Sequence, residues 1–225
     1  MFVAGVDEAG RGPVIGPMVL CAYAIEEERQ QELYNLGARD SKVLSPSQRE
    51  KLAEKFSKTG EFVLKVLSAA EITGLMRKKV SLNDIEARFI SEALKELSKK
   101  ARISKVFVDS PDPVASKFEK RIRRYFDHAF EIICEHKADA RYPAVSAASI
   151  LAKVRRDEEI EKIKLRLKKE GFEDWDIGSG YPHDEKTVSF LKRHHSDARA
   201  QEFIRHEWET AKRLKVAQLD LRTYI

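Results

Sequence analysis

Three apolar runs in this sequence each end on an acid. Phe2–Val6 runs into Asp7-Glu8, Ser104–Val108 into Asp109, and Ala129–Cys134 into Glu135, with Asp139 just beyond. In open α/β sheets ligands gather at strand ends near a topological switch point. If these strands are neighbours, Asp7, Glu8, Asp109 and Asp139 converge. Crowded carboxylates raise one another's pKa, and a divalent cation removes that penalty. Hard oxygen ligands select Mg²⁺ or Mn²⁺. Two such ions, roughly 3.5–4 Å apart, clamp an in-line phosphodiester displacement, one activating water and the other steadying the leaving oxygen. Any one acid alone reads more readily as a helix cap or a solvated loop residue than as a ligand. Asp7 and Glu8 add a geometric condition: adjacent strand residues point to opposite faces, so both reach one site only if the strand ends or bulges there, which Gly10 and Gly12 would permit.

The Gly10-Arg11-Gly12 turn is a second candidate. Glycines let backbone approach a ligand closely, successive N–H groups can meet phosphate or sugar oxygens, and Arg11 adds charge; a plain hairpin turn is the alternative. Basic residues gather in Lys117–Arg124, in Lys162–Lys169 and around Arg205–Lys215. Such clusters attract phosphate backbones, with a solvated helix face as the alternative for each. Cys21 and Cys134 lie in apolar runs with no Cys or His at metal-ligand spacing, and read as buried free thiols of a reducing compartment. His194 and His195 point apart on a helix and lack a ligand-type partner one turn away, so they read as surface histidines. His206 and Trp208 could anchor the last helix or help bind nucleic acid.

The elements that must position these groups follow from periodicity. The 225 residues suffice for one sizeable domain, and the net charge is only +5, from 42 Lys+Arg against 37 Asp+Glu. Strands are expected at Phe2–Val6, Val14–Ile25, Glu61–Leu67, Ser104–Asp109 and Ala129–Glu135. Helices are expected at Glu27–Leu36, from Ser45 to Lys58 behind a Ser45/Gln48 capping box, and over Ser68–Lys78 and Asn83–Ala101. Further helices are expected from Asp112 or Pro113 to Tyr125, at Pro143–Glu170, Asp184–His195 and Arg205–Val216. This is a mixed α/β sheet covered by helices, with a helical C-terminal portion. Asp7, Glu8 and Arg11 interrupt any signal peptide, and the longest apolar stretch, Pro13–Ile25, is too short to span a bilayer. A soluble, cytoplasmic monomer is expected.

Gly5-Val6-Asp7-Glu8-Ala9-Gly10-Arg11-Gly12-Pro13-Val14-Ile15-Gly16-Pro17 closely resembles the N-terminal signature of type 2 ribonucleases H (ribonuclease HII), in the compact form of archaeal members. Four later blocks are similar to family segments, in order: Asp40-Ser41-Lys42; Val108-Asp109-Ser110; Glu135 to Asp139 with Tyr142-Pro143 and Ser146 to Lys153; and Gly178-Ser179-Gly180-Tyr181-Pro182. The resemblance implies a ribonuclease H-like five-stranded mixed sheet flanked by helices. It implies a catalytic domain over 1–170, a helical portion packed on it over 171–217, and a tail over 218–225. Asp7, Glu8, Asp109 and Asp139 would be the metal-binding catalytic carboxylates. Gly10, Arg11 and Gly12 would sense the ribonucleotide 2′-OH through the backbone, the group that separates RNA from DNA, and Tyr181 would stack on the sugar at the RNA–DNA junction. Ser41 and Lys42 would hold a backbone phosphate, and Ser146 and Ser149, on one side of a helix, would help there unless they serve packing. The implied activity is hydrolysis of RNA in RNA/DNA hybrids and at ribonucleotides within duplex DNA, leaving 5′-phosphate and 3′-hydroxyl ends. One departure is His183-Asp184-Glu185, where the family more usually has Ser-Asp-Pro; His183 reads as a surface residue.

The sequence closes Gln218-Leu219-Asp220-Leu221-Arg222-Thr223-Tyr224-Ile225, which fits the sliding-clamp-binding pattern. A short turn would set Leu221 and Tyr224 side by side to plug an apolar pocket, with Ile225 beside them and Gln218 hydrogen-bonding outside. A packed tail is the alternative.

Overall fold

The computed structural model describes residues 1–38, 44–126 and 129–214. Five strands, β1 (Phe2–Ala9), β2 (Met18–Glu26), β3 (Glu61–Leu67), β4 (Ile103–Asp109) and β5 (Glu131–Glu135), form one mixed sheet in the order β3-β2-β1-β4-β5. β1 pairs antiparallel with β2 and parallel with β4, and β4 pairs parallel with β5. The central strands are almost wholly buried, as near-continuous apolar runs covered on both faces require.

Seven helices accompany the sheet among the described residues: α1 (Gln30–Leu36), α2 (Pro46–Thr59), α3 (Ala69–Arg77), α4 (Leu82–Leu97), α5 (Ala115–Arg123), α6 (Pro143–Lys169) and α7 (Glu185–His194). The Ser45/Gln48 capping box forms as expected, and Ser68/Glu71 makes a second one. Residues 209–214 are also helical.

Three boundaries depart from expectation. β1 does not stop at Asp7 but continues to Ala9, each residue paired with β2. β2 starts at Met18 rather than Val14, because Pro13 and Pro17 lack the N–H a ladder needs; Ile15 instead bridges Ile204. That bridge also keeps the helix expected from Arg205 from beginning before residue 209.

The described chain divides into two compact units. The first holds Met1–Ala9, Val19–Val66 and Ser81–Arg155; the second holds Gly10–Met18, Leu67–Val80 and Arg156 onward. The first contains the sheet. One face of β1 and β2 packs on α1, α2 and the start of α6 through Cys21, Tyr23, Ile25, Leu33, Phe56 and the small side chains Ala144, Ala147 and Ala148. Gly5 makes that approach possible: a Cβ there would lie 2.1 Å from the Val145 nitrogen. The second unit packs Val14 and Ile15 with Ile160, Ile163, Leu167, Phe172, Phe190 and Ile204. No described helix is long and apolar enough to cross a membrane.

Candidate active site

In the first unit, β1, β4 and β5 run in the same direction, and their carboxyl ends carry the acids. Pairing between β1 and β4 runs to Val6↔Val108, so Asp7 and Asp109 are the residues just past that ladder. β5 leads through Lys137, whose backbone is left-handed (φ 59°), into a 3-10 turn, Ala138–Ala140, that carries Asp139. Asp7, Asp109 and Asp139 each bring a carboxylate oxygen into one cluster, all within 4.8 Å of one another, with Asp7 and Asp139 buried. The Ala138 amide donates to Asp109 Oδ1 at 3.0 Å, tying the turn to β4.

The same face of β1 that needs Gly5 presents Asp7 two residues later, and α6 supplies the partner: the Ser149 hydroxyl hydrogen-bonds the Asp7 carboxylate, and Lys153 Nζ donates to Ser149 Oγ at 2.9 Å. Burial, then the charges of Glu8 and Asp109, push the Asp7 carboxyl well above the usual carboxylate range; the Ser149 hydroxyl and the Glu8 N–H (2.7 Å) pull the other way. Hard oxygen donors, close spacing and a buried carboxylate made reluctant to ionise by its neighbours' charge together fit a hard divalent cation.

Glu8 stands outside the cluster of three. The strand neither ends nor bulges at Asp7, and Glu8 is not one of the three acids whose oxygens meet, although its charge reaches Asp7. Glu135 also stays out, pairing with Arg141 at 2.7 Å. Ser146 and Ser149, expected to help at the substrate, are both fully buried, and Ser149 is turned to Asp7 instead. Cys21 is buried and Cys134 half-buried, both free.

The second unit contains the glycine turn and Tyr181. Gly10 adopts φ +82°, and a Cβ there would lie 2.6 Å from the Arg156 side chain and 2.8 Å from the Pro17 carbonyl; at Gly12 a Cβ would come within 3.3 Å of the Tyr181 ring. The Val14 and Ile15 amides both donate to the Gly180 carbonyl, stitching the two loops together. Buried Arg156 donates to the Ser179 carbonyl at 2.6 Å and lies 5.3 Å from the Tyr181 ring centroid. Asp184, the N-cap of α7, also accepts from the Ser179 amide and hydroxyl. His183 is exposed, its ring 5.5 Å from that of Tyr181.

Sequence reasoning missed Arg156, Asp184 and, above all, Arg205. Arg205 sits in a basic cluster that reads as a phosphate-attracting surface or a solvated helix face, yet it is fully buried. Its guanidinium donates to the carbonyls of Gly10, Arg11 and Gly16. Burial and nearby Arg156 push it down to about 9, and these carbonyls replace the lost water. The signal was its place directly after the apolar Phe203-Ile204. Trp208 is an anchor, its indole N–H donating to the Gly12 carbonyl at 3.0 Å. His194 and His195 are not plain surface residues: half-buried His194 pairs with Asp174 at 2.6 Å between Phe172 and Phe190, and His195 is buried. Ser41, Lys42 and the tail residues Gln218, Leu221, Tyr224 and Ile225 lie outside the described residues.

The family model for ribonuclease HII matches residues 4–211. The chain belongs to the ribonuclease HII family. A relative named ribonuclease HII from Pyrococcus abyssi is 42% identical over 231 aligned positions, covering all of this chain and 98% of its own. Among solved structures, the ribonuclease H2 of Pyrococcus horikoshii OT3 superposes with TM-score 0.82 at 38% identity, over 96% of this chain and 98% of that one. A ribonuclease HII from Archaeoglobus fulgidus, solved in complex with PCNA, superposes with TM-score 0.78 at 34% identity, over 95% and 96%. As a ribonuclease HII family member, the chain is an endoribonuclease, a phosphodiester hydrolase.

Proposed function

We propose that the enzyme hydrolyses the RNA strand of RNA/DNA hybrids and cuts at ribonucleotides embedded in duplex DNA, by two-metal-ion catalysis that leaves 5′-phosphate and 3′-hydroxyl ends. The observation that carries this reading is the meeting of Asp7, Asp109 and Asp139 at the carboxyl-terminal side of three parallel strands. These three residues, joined by Glu8, would hold Mg²⁺ or Mn²⁺. When bound, the ions supply activation of water and stabilisation of the leaving oxygen. Ser149 fixes the Asp7 carboxylate from α6, and the Ala138 amide fixes Asp109, so the ligands are oriented before an ion arrives.

Gly10, Arg11 and Gly12 would meet the ribonucleotide through their backbone, and Tyr181, packed beside Gly12, would stack on its sugar. Ser41 and Lys42 would hold a backbone phosphate. The tail, through Gln218, Leu221, Tyr224 and Ile225, would dock on the sliding clamp, a reading supported by the PCNA complex of the Archaeoglobus fulgidus relative.

The test is cleavage of a DNA duplex carrying one ribonucleotide, with Mg²⁺, with Mn²⁺ and with chelator, beside an all-DNA duplex and an RNA/DNA hybrid. Metal-dependent cutting of the two ribonucleotide-containing substrates, with the DNA control intact, is the expected result. Cutting of the all-DNA duplex would refute 2′-OH reading.

A further inference from the structure

We infer that Arg205, assisted by Trp208, is a specificity-determining positioning residue that aims two backbone donors of the Gly10-Arg11-Gly12 turn at the ribonucleotide. The inference rests on the reading above, in which that turn meets the 2′-hydroxyl through its backbone.

The geometry is a clasp behind the turn. Arg205 Nη2 donates to the Gly10 carbonyl at 2.7 Å, Nη1 to the Arg11 carbonyl at 3.0 Å and Nε to the Gly16 carbonyl at 2.9 Å. Trp208 Nε1 donates to the Gly12 carbonyl at 3.0 Å. The Arg205 guanidinium carbon lies 4.8 Å from the Trp208 ring centroid, so the two donors are also packed on each other. The Arg205 amide donates to the Val14 carbonyl at 2.8 Å, which fixes the base of the clasp. A buried guanidinium is tolerated only where its donors are satisfied, and here the partners of all three nitrogens are main-chain carbonyls of one short segment.

What this does follows from peptide geometry. In a planar trans peptide the carbonyl of one residue and the N–H of the next point in opposite directions, and the described chain has no cis peptide bond. Holding the Gly10 and Arg11 carbonyls against the guanidinium therefore directs the Arg11 and Gly12 N–H groups away from it. The other two carbonyls, of Gly12 and Gly16, precede Pro13 and Pro17, whose nitrogens carry no hydrogen. Those two bonds anchor the segment without aiming a donor. The clasp thus acts selectively on the two N–H groups inside the turn. Fully buried, Arg205 acts through the backbone rather than by touching substrate. Its planar fork is what reaches several carbonyls at once, and a lysine ammonium cannot reproduce it. Donors fixed in advance cost no reorganisation when the substrate arrives.

The test measures KM and kcat on a duplex with one ribonucleotide, together with Ki for an all-DNA duplex as competitor. Trp208→Phe is read first, because it keeps an aromatic ring under Arg205 and removes only the donor to Gly12; Arg205→Lys follows, with thermal melting to show that it folds. The expected result is KM raised about 5–10-fold in Arg205→Lys, as for loss of hydrogen bonds that fix a contact, and raised by a smaller factor in Trp208→Phe, which loosens an anchor without releasing an aimed donor, with kcat and Ki changed less than about twofold in both. A fall in kcat with KM unchanged would mean less active enzyme and a merely structural role. KM and Ki rising together would mean general loss of duplex affinity. Either overturns the clasp while leaving the 2′-OH reading intact. Wild-type KM equal to Ki would instead overturn that reading, and the clasp with it.

Discussion

At Asp7 the needs of chemistry and of folding oppose each other. Burial and the charges of Glu8 and Asp109 hold its carboxyl well above the ordinary range, with Ser149 only partly offsetting them. Between the ordinary value and the raised one, the folded protein keeps a proton that the unfolded chain releases. Stability without metal therefore falls as pH rises through that window, because there the native state binds more protons than the unfolded one. A bound divalent ion replaces the proton and removes the loss. Thermal melts from about pH 5 to about pH 8, in chelator and in excess Mn²⁺, should diverge increasingly toward the alkaline end; parallel curves would remove Asp7 from a metal site. Asp7→Asn should abolish metal-dependent turnover, retain duplex binding, and melt no lower than wild type in chelator, since it deletes the charge that burial penalises. Full activity would refute the metal role. The acids were legible in the sequence because an apolar run ending on a carboxylate is a local pattern. The inward role of Arg205 was not: its acceptor carbonyls lie 189 to 195 positions earlier in the chain, and its place after the apolar Phe203-Ile204 is the one local sign of burial and names no partner.

Among elements, strand and helix identities were legible where side-chain periodicity and caps agreed. The Ser45/Gln48 box is an example, since both partners lie within one turn. Where two loops are stitched to each other, local propensity failed, as at Val14–Pro17 and at the start of the last helix. The loop before α7 depends on such stitching. Asp184 Oδ1 accepts from the Lys186 and Thr187 amides, and Oδ2 from the Ser179 amide and hydroxyl. One carboxylate thereby caps a helix and holds the segment that presents Tyr181. Asp184→Ala should cost about 1–2 kcal/mol for the cap, a fall of about 2–8 °C in Tm for a chain of this size. Asp184→Asn keeps one acceptor for the cap but not both Oδ2 contacts, so it should fall between wild type and Asp184→Ala in calorimetry. Equal losses for Asn and Ala would mean that the Ser179 contacts, not the cap, dominate.

For the whole molecule, the basic clusters give less attraction for nucleic acid than their composition suggests. Arg121 is engaged by Asp84 and Asp112, Arg123 by Glu119, Lys162 by Glu159, Lys164 by Glu161 and Asp176, and Arg166 by Glu170 and Glu202. With a net charge of only +5, long-range steering to duplex is modest. A second attachment would then matter, because tethering to a clamp already on DNA raises the effective concentration of substrate without any new contact at the active site. The proposed attachment is the Gln218–Ile225 segment, with Leu221 and Tyr224 as anchors. A buried aromatic anchor contributes about 2 kcal/mol or more to an interface, so Tyr224→Ala alone should weaken clamp binding about 30-fold or more, measured by calorimetry with the purified clamp. Deleting Gln218–Ile225 should abolish binding altogether while leaving kcat and KM on a short duplex within about twofold, since so short a duplex offers no clamp to exploit. On clamp-loaded DNA the same deletion should lower the cleavage rate toward that of the enzyme without clamp. Undiminished clamp affinity in the truncated protein would place the docking surface elsewhere in the chain.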